Sequence, residues 1–125
     1  MALDMAKPLR FFEYAACGTC KKARSWLKSH DISYESIPIV ERPPTLSELQ
    51  AWVRASGLPL QKWFNTSGQS YRALVERLGK EGVSRLSDEA KLQLLAADGK
   101  MIKRPVLVAG DRIIVGFDEA AYDKL

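Results

Sequence analysis

Two cysteines, Cys17 and Cys20, stand two residues apart within Tyr14-Ala15-Ala16-Cys17-Gly18-Thr19-Cys20-Lys21-Lys22-Ala23, and the chain has no others. An apolar-aromatic run (Leu9, Phe11, Phe12, Tyr14) precedes them and a helical pattern follows, which predicts a strand, a tight glycine-containing loop and a helix start. A helix N-terminus carries partial positive charge and N–H groups without intrahelical partners, and both stabilise a thiolate. Cys17, at or before the first turn, is therefore expected to be the acidic, exposed nucleophile. Cys20 lies one turn deeper, in line with Ala23 and Leu27, so it is expected to face inward and serve as the resolving thiol. The shift matters: a thiol of pKa near 8.5 is only about 3% thiolate at pH 7, whereas a pKa of roughly 6.5–7 ionises about half or more. Lys21 and Lys22 follow directly, and one of them is expected to add to the effect.

Other uses of the pair fit less well. A zinc site needs four ligands, and the chain offers one histidine, His30, far along the same helix, so no metal is expected. A static disulfide is disfavoured, because residues 1–7 lack the apolar stretch of an export signal and a reducing cytoplasm, the expected location, keeps such thiols open. No apolar run approaches the roughly 18 residues of a membrane span. The formal charge of +4 allows an anionic partner such as glutathione, an oxyanion or an acidic protein surface without demanding one.

With 125 residues the chain is expected to form one domain, 1–125, burying roughly two thirds of its unfolded surface around one core. Leu9–Tyr14 reads as a central strand, with Arg10 and Glu13 needing partners. The helix after the cysteines runs to about His30, which caps its last carbonyls, and Ile32–Ile37 reads as a second strand, parallel to the first by the right-handed crossover rule. Pro43-Pro44 then leads into a capping box, Thr45 with Glu48, opening a helix with Leu46, Leu49, Trp52 and Val53 on one face and Gly57 at its end. Trp63–Gly68 reads as a loop. A third helix carries Tyr71, Leu74, Val75 and Leu78 and closes at Gly79; a fourth, capped by Ser87, carries Ala90, Leu92, Leu94, Leu95 and Ala96 and ends at Gly99. Val106–Ala109 and Arg112–Val115, joined at Gly110-Asp111, read as an antiparallel hairpin, and Asp118 caps a last short helix. The order implies an α/β, thioredoxin-like fold: a four-stranded mixed sheet, 2-1-3-4, with a helical insertion over about 44–100.

The residues Tyr-x-x-Cys-Gly-Thr-Cys-Lys-Lys-Ala at 14–23, with Trp26-Leu27, Arg104-Pro105 and Gly116-Phe117, resemble the arsenate reductase (ArsC)/Spx/MgsR family, above all its small bacterial members that keep the CxxC pair. The likeness runs from about Leu9 to the C-terminus. It implies that Pro105 is cis beside the CxxC loop, turning the Arg104 backbone outward so that an extended peptide or glutathione pairs with it beside Cys17. It also implies that Arg104 stabilises the Cys17 thiolate or holds an anion, a charged hydrogen bond contributing about 1.5–3 kcal/mol if shielded from water. Cys17, Cys20 and Arg104 are thus the expected catalytic residues, and Gly18, Thr19, Lys21 and Pro105 the expected substrate-binding ones.

The leading expectation is a thiol-disulfide oxidoreductase acting on a small thiol or protein disulfide, with no bound cofactor and with glutathione as co-substrate. The alternative is an Spx-like redox-sensing regulator that binds the RNA polymerase alpha subunit; no basic patch interleaved with aromatics marks nucleic-acid contact. Arsenate reduction ranks third. The family's arsenate reductases hold the oxyanion with three arginines, and here Arg104 matches one position while Phe64-Asn65 and Val115-Gly116 stand near the other two. A monomer is expected.

Overall fold

A computed structural model describes residues 9–125. Strand β1 (Leu9–Glu13) buries Phe11 and Phe12, as a strand flanked on both sides must. Helix α1 (Gly18–Ser29) follows, and β2 (Tyr34–Pro38) returns parallel to β1, with Leu9 opposite Tyr34 and Phe12 opposite Ile37. The second strand begins two residues later than the Ile32 start expected from sequence, because Asp31 takes a positive φ of 54° and Ile32 still donates its N–H to the Leu27 carbonyl. On the other side of β1 runs β3 (Val106–Ala109), antiparallel, with Phe11 opposite Leu107. Strand β4 (Arg112–Val115) completes a hairpin whose turn uses Gly110 at φ 62°, where a side chain would be strained. The order β2-β1-β3-β4, with one parallel and two antiparallel pairings, is the thioredoxin-like arrangement that the element order predicts.

The chain divides into two compact units. The first comprises residues 9–39 and Arg104–Leu125. Its core joins the inward stripe of α1 (Ala23, Trp26, Leu27) to Phe11, Leu107, Ile114 and Tyr122, the last on a short helix α5 (Glu119–Tyr122) capped by Asp118. Tyr122 meets the edges of Trp26 and Phe117 at 5.3 and 4.9 Å between centroids, and Phe11 meets Tyr34 at 5.2 Å. Each such side chain, fully buried, contributes about 1.5–3 kcal/mol. His30 stacks on Trp26 and sets Nδ1 2.8 Å from the Trp26 carbonyl, closing α1.

The second unit, Val40–Lys103, is helical and corresponds to the expected insertion. Helix α2 (Leu46–Ser56) begins with the reciprocal Thr45–Glu48 capping box and ends at Gly57 in the left-handed conformation. Helices α3 (Gln69–Ser84) and α4 (Asp88–Ala97) follow. Two expectations need correction here. Trp63 and Phe64 are not a surface loop: Leu60–Trp63 forms a 3-10 turn, both aromatics are buried, and Phe64 bridges to Ile102. Gly79 closes the first segment of α3 as expected, since the chain leaves helical geometry there (φ 76°, ψ 160°), and a second helical segment then runs to Ser84. Helix α4 ends at Ala97, two residues before Gly99, with Asp98 as its C-cap, and buries only Leu95 of its five expected apolar residues, since consecutive leucines and alanines point round the helix.

Candidate functional site

The loop between β1 and α1 is short because Cys17 donates its N–H to the Tyr14 carbonyl at 3.0 Å, folding Tyr14–Cys17 into one turn. Cys17 is the N-cap of α1: its backbone is extended (φ −81°, ψ 123°) and its sulfur accepts the Cys20 N–H at 3.4 Å. Gly18 and Thr19 are the exposed first and second helical residues, so three successive N–H groups open the helix beneath the sulfur. One turn on, Cys20 is fully buried with Ala23 and Leu27, and its sulfur accepts the Tyr14 N–H at 3.5 Å.

Burial and hydrogen bonding act oppositely on the two thiols. Partial burial disfavours the Cys17 thiolate, but the Cys20 N–H, the Cys20 thiol, the Arg104 guanidinium and the Thr19 N–H together outweigh it and hold the Cys17 pKa below the ordinary thiol value. Cys20 is pushed up to about 12, first by burial and further by its hydrogen bond to Cys17 and by the negative fields of Cys17 and Glu13; the Tyr14 N–H only partly offsets these. One sulfur is thus prepared to ionise and its neighbour to stay protonated.

The side-chain cation that acts on Cys17 is Arg104, from the far end of the chain, rather than the neighbouring Lys21 or Lys22. The peptide bond Arg104-Pro105 is cis, as the family resemblance implies. Pro105 is buried at the start of β3 and its carbonyl accepts the Gly116 N–H at 2.8 Å. The Arg104 guanidinium lies 4.9 Å from the centroid of the Tyr14 ring, a cation–π contact, and its Nε is a buried donor without a hydrogen-bond partner. The geometry therefore brings Cys17, Gly18, Thr19, Cys20, Arg104 and Pro105 to one place. Lys21 is instead exposed on the α1 face that carries Arg24 and Lys28, beside a cleft.

Glu13 is the residue whose part the sequence did not disclose. It is buried at the end of β1, receives hydrogen bonds from Arg24 and from the Ser36 hydroxyl, and contributes to the field that keeps Cys20 protonated. A carboxylate closing an apolar strand was the available signal, but its partners stand 11 and 23 residues away. Among the described residues no group of three or more His, Cys, Asp or Glu side chains is arranged to hold a metal, and no helix is long and apolar enough to cross a membrane.

Comparison with known proteins gives a consistent picture. A family model described as ArsC family matches residues 12–125. The Bacillus subtilis protein YusI, of uncharacterised role, is 44% identical over 116 residues, covering 93% of this chain and 96% of its own. The regulatory protein MgsR of Bacillus subtilis is 26% identical over 121 residues, 97% of this chain and 92% of its own. A crystal structure of a Bacteroides fragilis protein related to the ArsC family superposes with a TM-score of 0.88 at 40% identity, over 95% of this chain and 98% of the other.

Proposed function

The chain belongs to the ArsC family, and on that premise we propose that it is a glutathione-linked thiol-disulfide oxidoreductase, with Cys17 as nucleophile and Cys20 as resolving thiol. The observation that supports this reading is the opposite tuning of two sulfurs one helical turn apart. In the first step the Cys17 thiolate attacks one sulfur of a substrate disulfide. The S–S bond breaks, a mixed disulfide forms, and the other substrate sulfur leaves as a thiolate that takes a proton from water. Arg104 steadies the anionic sulfur before attack, and its free Nε–H is a donor for a carboxylate of glutathione or for a peptide carbonyl.

The second step needs Cys20 to lose its proton. Two of the causes that keep it protonated, the hydrogen bond to Cys17 and the charge of the Cys17 thiolate, vanish once Cys17 is in a mixed disulfide. The resolving thiol therefore becomes more acidic when it is required. Its thiolate attacks the Cys17 sulfur, the second substrate thiolate leaves, and the pair becomes a disulfide: substrate gains two electrons and the protein loses two. Two glutathione molecules restore the dithiol, leaving as glutathione disulfide. The test is turnover of a glutathione mixed disulfide by the wild type, Cys17→Ser and Cys20→Ser. Loss of turnover in Cys17→Ser, with a trapped mixed disulfide in Cys20→Ser, is expected; equal activity of wild type and Cys17→Ser refutes the proposal.

A second reading draws support from the likeness to MgsR, a regulatory protein. In it the same pair is a redox switch and a surface of the protein holds the RNA polymerase alpha subunit. Pull-down with that subunit under oxidising and reducing conditions separates the two; no retention in either state removes the regulator. Arsenate reduction fits least, because Arg104 is the one guanidinium that acts on Cys17 where a dianionic oxyanion calls for several.

A further inference from the structure

Cys17 stands at the head of a second stripe on α1. Positions 17, 21, 24 and 28 recur at the four- and three-residue steps that keep to one helix face, and after Cys17 that face carries Lys21, Arg24 and Lys28. The adjacent stripe, Cys20, Ala23 and Leu27, is the buried one. The cationic stripe lines a cleft of about 620 Å³ together with residues that lead into β2, among them Ser33 and Tyr34. Strand β2 is the outer strand of the sheet, with no strand partner on its far side among the described residues. Within the cleft the Arg24 charge is offset by Glu13, Lys21 and Lys28 are exposed, and the carboxylate present is Asp31, three residues past Lys28.

We propose that this cleft docks an acidic, extended flank of a protein whose disulfide or mixed disulfide is presented to Cys17, an inference that rests on the oxidoreductase reading above. The charge is complementary, and the stripe begins at the reactive sulfur. Along the helix axis Lys21 lies about 6 Å and Lys28 about 16 Å from Cys17. An extended chain advances about 3.3 Å per residue, so the carboxylates that meet these lysines stand roughly two and five residues from the partner's cysteine. Asp31 repels a carboxylate placed further along, which bounds the acidic stretch. A nucleic acid would meet the same cations but has no sulfur to offer Cys17.

The test uses the Cys20→Ser protein, which stops after the first exchange: the Cys17 thiolate forms a disulfide with one half of the probe and releases the other half as a thiol. Three symmetric disulfides serve as probes: a short peptide with Glu at the second and fifth positions after its cysteine, the same peptide with Gln at both, and bis(2-hydroxyethyl) disulfide as a neutral reference. At about 20 mM salt the Glu peptide is expected to react about tenfold faster than the Gln peptide, and at about 500 mM salt equally fast. Lys28→Gln is expected to cut the Glu advantage about threefold and to leave the neutral probe unchanged. Equal rates for the two peptides while the neutral probe reacts overturn the docking cleft alone, as does a Glu advantage that Lys28→Gln or high salt leaves undiminished. Failure of all three probes overturns the nucleophilic role of Cys17 itself.

Discussion

At the scale of single residues, the function proposed for this protein reduces to how two thiols and one guanidinium share protons. Arg104 favours the ionised Cys17 sulfur, so Arg104→Met is expected to raise the midpoint of iodoacetamide alkylation against pH and to slow alkylation at pH 7 about three- to tenfold; an unchanged midpoint would show that the helix N-terminus alone acidifies Cys17. Cys20 and Tyr122 work in the opposite sense. Burial is the first cause of both raised values, so the folded chain keeps protons that the unfolded chain releases. By linkage, stability falls as pH rises above the ordinary thiol value and goes on falling towards the folded-state pKa, about 12 for Cys20. Cys17 has the reverse sign: its contribution is complete above the unfolded thiol pKa and is lost as pH falls through its lowered folded value. Urea midpoints at pH 7.5 and pH 10 are expected to show the alkaline loss in the wild type and a smaller loss in Cys20→Ser. The buried Tyr122 hydroxyl has no hydrogen-bond partner, so Tyr122→Phe is expected to stabilise the fold by about 1 kcal/mol in the same titrations.

Secondary-structure elements hold these groups in place, and helix ends carry much of the responsibility. Cys17 is both nucleophile and N-cap, two roles that substitution separates. Serine still accepts the Cys20 N–H while alanine does not, so thermal or urea unfolding is expected to show Cys17→Ser near wild-type stability and Cys17→Ala lower by about 1 kcal/mol, with reductase activity lost in both. Gly79 makes the comparable point in α3, where its positive φ lets the helix kink; Gly79→Ala is expected to destabilise by about 1 kcal/mol, read by urea unfolding. Signals of this local kind were legible in the sequence. The Thr45–Glu48 box, the Gly57 terminus, the Gly110-Asp111 turn and the Asp118 cap are each written within a few residues, and each stands where its chemistry predicts. What stayed hidden depends on distant partners. Trp63 and Phe64 read as a loop because the residue that pairs with Phe64, Ile102, is far along the chain. Proximity in sequence points to Lys21 and Lys22 as the acidifying cation, while nearness in space belongs to Arg104, which only the family resemblance singles out.

For the molecule as a whole, the decisive fact is that the unit carrying the cysteines is discontinuous in sequence. Residues 9–39 supply β1, α1 and β2; Arg104–Leu125 supply β3, β4, α5 and the arginine; the whole of Val40–Lys103 intervenes. A chain ending at Lys103 retains both cysteines yet lacks half the sheet and the Arg104 charge. Its Cys17 alkylation midpoint is expected to return to that of an ordinary thiol, and retention of the lowered value would show that β1 and α1 suffice. Pairing β1 with β3 closes a loop of about three quarters of the chain, among the more slowly formed contacts of a small domain. A chain that has not yet added residues 104–125 holds this sulfur without the guanidinium that favours its ionised form, so its reactivity is expected to rise once that segment joins the sheet.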